Sequence, residues 1–191
     1  VVLVISETTL AALRAKVTNL PPCKVCLLAT EEEEESPLGP PDGPPTLLVF
    51  GRHDSYFAKG QDILVRLWPR VTAALPDARL MFVGGGPKLA ELRNLAAASP
   101  AHENINVKGF VEEQDILPIW QQASALALIS SLEGFGLVIA EAMRHGRPVL
   151  ASLQDAGREV NADGVTGYNV DRNDDGAIVA KVVALLGDTE K

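Results

Sequence analysis

From Thr46 onward the chain repeats one unit: a short apolar run, a loop, usually holding glycine, and a longer stretch in which apolar residues recur every three or four positions. The runs are Leu47–Phe50, Arg79–Val83, Ile105–Val107, Ala125–Ile129 and Val149–Ala151, with a weaker one at Gly167–Val170. Short apolar runs without strict alternation suit strands buried on both faces. Between them, Gln61–Leu75 sets Leu64, Leu67, Trp68, Val71 and Leu75 on one helical face, and Lys88–Ala98 repeats Leu89, Leu92 and Leu95. Further helices are predicted over Glu112–Gln122, Leu137–His145 and Ala177–Leu186. Strands alternating with helices make βαβ units, hence a parallel sheet with right-handed crossovers. The expected fold is α/β, a Rossmann-like doubly wound parallel sheet of about six strands with helices on both faces. Pro69 and Pro118 fall inside helical patterns, where each would cost about 3 kcal/mol, so a bend or short break is expected at both.

The residues before Thr46 follow another pattern. Val1–Ile5 reads as a strand, Ser6 as the N-cap of a helix over Glu7–Lys16, and Val25–Ala29 as a second strand. Glu31–Glu35 and the following SPLGPPDGPP combine like charge with repeated proline, which no packed element accommodates. Three parts are therefore expected: residues 1–29, an acidic proline-rich linker over 30–45, and a Rossmann-like domain over 46–191.

Composition excludes several classes. A formal net charge of -8 argues against broad nucleic-acid binding. No apolar run approaches the roughly 20 residues that span a bilayer, although peripheral membrane contact stays open. The opening VVLVI lacks a basic flank and a small-residue cleavage site, so no signal peptide is read. Cys23 and Cys26 form a CxxC, but no second CxxC exists and His53, His102 and His145 are scattered. The pair is read as ordinary thiols in a reducing cytosol, and a cytoplasmic location is expected.

In an open parallel sheet, ligands bind beyond the carboxyl ends of the strands, near the point where strand order reverses. The loops there carry the candidate residues. Gly51, Arg52 and Lys59 follow the first strand of the repeating region, Gly84 and Gly85 the second, Phe110 and Val111 the third. Glu133, Gly134, Phe135, Gly136 and Leu137 follow the fourth, at a helix N-terminus whose free N–H groups favour anions. Doubly wound order makes the first and fourth strands neighbours, bringing Arg52 and Lys59 to face the Gly134–Gly136 turn. Arg52 would grip phosphate oxygens through its planar fork and Lys59 would add a point charge. The GGGP segment also reads as a tight strand-to-helix turn with Pro87 at the first helical position. Glu141 stands eight positions after Glu133, mid-helix between two alanines, where its charge needs hydrogen-bond donors such as sugar hydroxyls. His145, before Gly146, reads as a structural helix end.

Read together, GRHDSYFAKG, LMFVGGGP, VKGFV, SSLEGFGLVIAEAMRHGRPVLAS and DGVTGYNV resemble the donor-binding half of a retaining, nucleotide-sugar-dependent glycosyltransferase of the GT-B fold, in the "glycosyl transferases group 1" family. The likeness covers roughly Thr46–Leu186, and the E-x7-E pair with EGFG and EAM is its specific part. The resemblance implies that Arg52 and Lys59 hold the donor diphosphate and that Glu133 lies near the transferred sugar and the reaction centre. It implies that Phe135, Gly136 and Leu137 offer backbone donors, that Glu141 binds the ribose, and that Phe110 and Val111 lie beside the nucleobase. Glu133, Arg52 and Lys59 are thus the implied catalytic group, with Gly51, Gly84, Gly85 and Gly134 lining the donor. No DxD motif occurs, so the implied chemistry needs no metal and no cofactor. The implied partners are the nucleotide sugar and an acceptor glycan, lipid or small molecule held by a missing or separate N-terminal domain, of which residues 1–29 resemble the closing segment; no nucleic acid is expected. The family's glycine pair is reduced to Gly157, and the helix that crosses back to the first domain is not evident beyond Leu186. Such a chain is expected to bind donor and to transfer little by itself. A non-catalytic nucleotide-sugar-binding or partner-assembly module is the alternative reading. A dinucleotide-dependent oxidoreductase is disfavoured, because no GxGxxG opens a helix.

Overall fold

The computed structural model describes residues 1–30, 38–53 and 58–187. The elements run β1 (Val2–Val4), α1 (Glu7–Lys16), β2 (Cys23–Val25), β3 (Thr46–Phe50), α2 (Gln61–Ala74), β4 (Arg79–Val83), α3 (Leu89–Ala98), β5 (Ile105–Gly109), α4 (Ile116–Gln122), β6 (Ala125–Leu128), α5 (Leu137–Arg144), β7 (Val149–Ser152), α6 (Gly157–Val160), β8 (Gly167–Val170) and α7 (Asp175–Gly187). β3 to β8 form one parallel sheet in the order β5-β4-β3-β6-β7-β8. The chain walks outward from β3 through β4 to β5, returns to lay β6 on the other side of β3, and walks outward again. Strand order therefore reverses between β3 and β6, the predicted first and fourth strands.

Alternation along the strands feeds two cores. Leu47, Val49, Leu80, Phe82, Ala125 and Ala127 point to a layer made by α2, α3 and α7, where Leu64, Trp68, Leu92 and Val182 are buried. Leu48, Met81, Leu126 and Leu128 point the other way, onto Trp120 of α4 and Ile139 and Ala142 of α5. Every residue of β6 and β7 is buried, as expected of strands covered on both faces.

Where the elements differ from the sequence expectation, the cause is local. α2 runs as one helical span through Pro69, held by buried Leu64, Trp68 and Val71 on either side. Pro118 is the third residue of α4, in the first turn, where its missing N–H has no intrahelical partner to lose; the preceding Glu113–Asp115 is a 3-10 turn instead of α-helix. In α3 the spacing of Leu89, Leu92 and Leu95 drifts off the helical period, so Leu92 and Ala96 are buried and Leu95 is exposed. The one-turn α6 carries no periodic signal.

The second strand lies at Cys23–Val25 instead of Val25–Ala29. β1 offers three residues for parallel pairing, Val2 to Val4, and the register Val2↔Cys23 and Val4↔Val25 uses them. Pairing ends where Cys26 N–H donates to Val4 O at 2.8 Å. Both cysteines are free thiols. Of the linker, Glu31–Pro37 lie outside the described residues, whereas Leu38 packs against the α4–α5 core and Asp42 N–H donates to Gln121 O at 2.9 Å.

The β1–α1–β2 unit meets α6 and the turn before α5 through the N-terminal end of α1. Ser6 caps it, accepting from Thr9 N–H at 3.0 Å, and Glu159 of α6 reaches across to the same helix end. Its carboxylate accepts from Glu7 N–H at 2.8 Å, from Thr8 N–H at 2.7 Å and from the Thr8 hydroxyl.

Candidate functional site

The loops after β3, β4, β5 and β6 meet at one edge of the sheet, and backbone hydrogen bonds carry the ladder beyond the strands. Gly51 N–H donates to Val83 O at 2.9 Å, Gly84 N–H to Gly109 O at 2.7 Å, and His53 N–H to Gly85 O at 2.9 Å. The approach is so close that a Cβ on Gly84 would stand 2.0 Å from Gly51 O, and one on Gly86 2.1 Å from His53 O. Close contact between two loops, more than a turn into α3, is therefore why this segment needs glycine. Pro87 precedes the N-cap Lys88 and so lies outside the helix, not at its first position. The loops after β3, β4 and β5 line a cleft of about 650 Å³ that includes Gly51, Arg52, Gly84, Gly85, Phe110 and Val111. Phe110 is 72% exposed, a bare aromatic face at the rim.

Lys59 crosses from the β3 loop to the β6 loop. Ser131 N–H donates to Ala58 O at 2.7 Å, locking the two segments, and Lys59 Nζ donates to Glu133 Oε2 at 3.0 Å. The lysine stem runs over Gly51, where a Cβ would stand 3.0 Å from Lys59 Cε. Beneath, His53 and Gln61 are buried, with Gln61 Nε2 and His53 Nδ1 3.2 Å apart. Asp54–Phe57, between Arg52 and Lys59, lie outside the described residues.

The N-cap of α5 is Gly136, whose φ of 88° is left-handed and whose missing Cβ would stand 3.0 Å from Ile139 Cδ1. No side chain caps this helix and no acidic residue sits in its first turn, so its N–H groups offer an anion site beside Lys59 and Glu133. Phe135 is buried, Gly134 half-buried and Leu137 exposed. Glu141 lies one turn into α5, half-buried; burial pushes its carboxyl above the usual range, with Arg144 acting in the opposite sense. The sheet edge thus brings Gly51, Arg52, Gly84, Gly85, Phe110 and Val111 into one cleft and joins Lys59 to Glu133. Gly134, Phe135, Gly136, Leu137 and Glu141 belong to the α5 start and do not line that cleft. His145 caps α5 and stacks on Trp120 at 5.2 Å, with Gly146 left-handed after it, as its structural reading required.

Two acidic residues of the segment after β7, Asp155 and Glu159, are not among the expected site residues. Asp155 is 3% exposed and accepts from the Ser130 hydroxyl and from Gly157 N–H. Glu159 holds α1. Among the described residues, no group of three or more His, Cys, Asp or Glu side chains is gathered to hold a metal, and no helix is long and apolar enough to cross a membrane. A second hollow of about 330 Å³, lined by Met143, Pro148, Val165 and Leu185 among others, lies at the opposite ends of β7 and β8 and shares none of these groups.

The doubly wound parallel sheet, with its glycine-lined cleft and a helix start without a side-chain cap at the switch point, matches one half of the GT-B glycosyltransferase fold. The chain belongs to the glycosyl transferases group 1 family, whose profile matches residues 44–188. Among curated relatives, a GDP-mannose-dependent alpha-(1-6)-phosphatidylinositol monomannoside mannosyltransferase of Mycolicibacterium smegmatis is 32% identical over 140 residues, covering 70% of this chain and 37% of that protein. The chain thus spans little more than a third of that relative's length. Among solved structures, sucrose-phosphate synthase from Thermosynechococcus elongatus superposes with a TM-score of 0.81 at 25% identity, covering 98% of this chain and 49% of that one. HepE of Anabaena, in complex with UDP and glucose, shares the fold with a TM-score of 0.79 at 20% identity, over 99% of this chain and 54% of its own.

Proposed function

We propose that this chain is the donor-binding part of a glycosyltransferase that moves a hexose-type sugar from a nucleotide-diphosphate sugar to an acceptor hydroxyl, with retention of configuration and without a divalent metal. The observation that carries the reading is the Lys59–Glu133 pair, 3.0 Å apart across the switch point, beside the uncapped N-terminus of α5 and the cleft containing Arg52. The nucleobase stacks toward Phe110 and Val111, the ribose reaches Glu141, the diphosphate lies between Arg52, Lys59 and the α5 N–H groups, and the sugar lies at Glu133. In the reaction the bond from the anomeric carbon to the phosphate oxygen breaks and the bond to the acceptor oxygen forms, while the acceptor proton passes to the departing phosphate. The protein's share is electrostatic: Arg52, Lys59 and the helix end stabilise the leaving diphosphate, and Glu133 stabilises the electron-poor sugar. The GDP-mannose of the mycobacterial relative and the UDP and glucose bound to HepE are donors and donor parts of this class.

Residues 1–29 belong, in this reading, to an acceptor-side domain, 30–45 link it to the donor domain at 46–191, and the protein works in the cytoplasm. Calorimetric titration with UDP, GDP and ADP and their hexose conjugates tests the donor site, on the wild type and on Glu141→Ala. One nucleotide should be preferred, and the variant should bind it more weakly; a folded sample that binds none at millimolar ligand refutes the reading. Transfer should appear when an acceptor-side domain is supplied and vanish in Arg52→Ala. Binding without transfer under those conditions would favour the non-catalytic module.

A further inference from the structure

We propose that Asp155, a buried carboxylate in the loop between β7 and α6, is the positioning residue that holds the Glu133 turn in place for sugar recognition. The inference rests on the donor-site reading above for its ligand, and on geometry alone for the positioning itself.

The turn between β6 and α5 must put Glu133 and the first N–H groups of α5 at fixed places, yet Gly134 and Gly136 give it little stiffness of its own. The structure grips it from outside. At its start, the hydroxyl of fully buried Ser130 donates to Asp155 Oδ2. At its centre, Ala156 N–H donates to Glu133 O at 3.3 Å. Asp155 Oδ1 accepts from Gly157 N–H at 2.8 Å, which folds its own loop into the shape that presents Ala156. A Cβ on Gly157 would stand 3.0 Å from both Asp155 Oδ1 and Ile139 Cδ1, so this loop is wedged against α5 as well. The Asp155 side chain therefore ties the end of β6 to the β7–α6 loop, and that loop in turn packs on α5 through Gly157. Ser131 N–H to Ala58 O, the Lys59–Glu133 pair, and the Thr9 hydroxyl donating to Gly134 O at 3.3 Å complete the hold.

A carboxylate is an unexpected choice for so dry a place. Burial raises the Asp155 carboxyl above the usual range, with the Ser130 and Gly157 hydrogen bonds lowering it, Glu133 raising it and Lys59 lowering it. Asparagine at this position keeps an oxygen for Gly157 N–H and a polar partner for Ser130 while removing the charge. Alanine removes both. The contrast between the two separates holding from charge, because neither variant carries the negative charge that would repel a diphosphate.

The experiment uses the full chain, with Asp155→Asn, Asp155→Ala and Ser130→Ala. GDP and GDP-mannose are the first probes, replaced by the nucleotide that the wild type prefers. The ratio of sugar-conjugate affinity to nucleotide affinity should fall five-fold or more in Asp155→Ala, fall less in Ser130→Ala and stay within two-fold in Asp155→Asn. Equal losses for nucleotide and conjugate, or no loss in Asp155→Ala, overturn the proposal. Amide hydrogen exchange without ligand gives an independent arm: Gly134 to Ile139 should exchange faster in Asp155→Ala than in Asp155→Asn, with α2 unchanged. Equal exchange in both variants, or a rise spread over the whole sheet, also overturns it. A wild type that binds no nucleotide refutes the donor-site reading, and the exchange arm then still decides whether Asp155 positions the turn.

Discussion

Replacing Glu133 by glutamine should tighten the binding of a free nucleoside diphosphate while weakening the advantage of its sugar conjugate. Lys59 and Glu133 stand 3.0 Å apart with side chains 19% and 20% exposed, between the surface and the interior. Exposed pairs contribute roughly 0–1 kcal/mol and breaking buried ones costs roughly 3–5, so a coupling of about 1–2 kcal/mol is expected here. A diphosphate that takes Lys59 as its counter-ion gives up part of that coupling and also meets the Glu133 charge. Removing the charge should therefore gain about 1 kcal/mol, or about five-fold in affinity for the nucleotide alone. The conjugate loses a charged hydrogen bond to its sugar, worth about 1.5–3 kcal/mol, for a neutral one. Lys59→Met should weaken both ligands. Calorimetry at low and high salt reads the affinities, and urea unfolding of the two single variants and the double variant reads the coupling. If Glu133→Gln weakens the nucleotide as much as Lys59→Met does, or the double variant is simply additive, the pair is not the shared diphosphate contact argued for it.

Gly84→Ala should destabilise by about 3 kcal/mol, because no rotation moves a Cβ away from Gly51 O at 2.0 Å, and calorimetric melting should fall by about 6–12 °C for a chain of this size. Phe110→Ala should leave the melting temperature unchanged, since the ring is 72% exposed, yet cost about 1–3 kcal/mol in nucleotide affinity through lost stacking; equal affinity would remove Phe110 from the base site. Burial works against the Glu159 charge, but hydrogen bonds from the Thr8 hydroxyl and the N–H groups of Thr8 and Glu7 outweigh it, and its carboxyl lies below the usual range. Its hold on α1 should thus be fully present above the unfolded carboxyl pKa of about 4.3 and be lost as pH falls through the lower folded value. Lower amide protection factors at Glu7 and Thr8 in Glu159→Gln at neutral pH, reached by the wild type only in acid, check this.

Much of this protein can be read along the chain because burial on both faces of a parallel sheet writes itself as contiguous apolar runs. β3, β4 and β6 to β8 lie where those runs are, and the loops that follow them had to share an edge once the strands were parallel. Parallel strands alone put Arg52, Lys59, Phe110 and Glu133 at the same end of the sheet. Shorter elements were less legible. β2 has three residues, and its register was set by which residues of β1 remained to pair, a choice that the local pattern of Val25–Ala29 does not contain. Pro118 reads as a bend or short break because its place within the helix depends on where the helix starts, and a 3-10 turn moves that start.

The residue types that could do anionic-ligand chemistry, their order, and the strand each one follows are properties of the sequence by itself, since secondary structure and sidedness come from local periodicity. The tertiary structure alone decided which of those groups touch. It joined Lys59 to Glu133 and put Arg52 in the neighbouring cleft with Gly84 and Gly85. It also turned Asp155 inward against Ser130 and sent Glu159 across to α1, contacts between residues 25 and more than 150 positions apart. Such contacts depend on how loops close after the sheet has formed, and a polar loop that turns inward has the same composition as one that faces water.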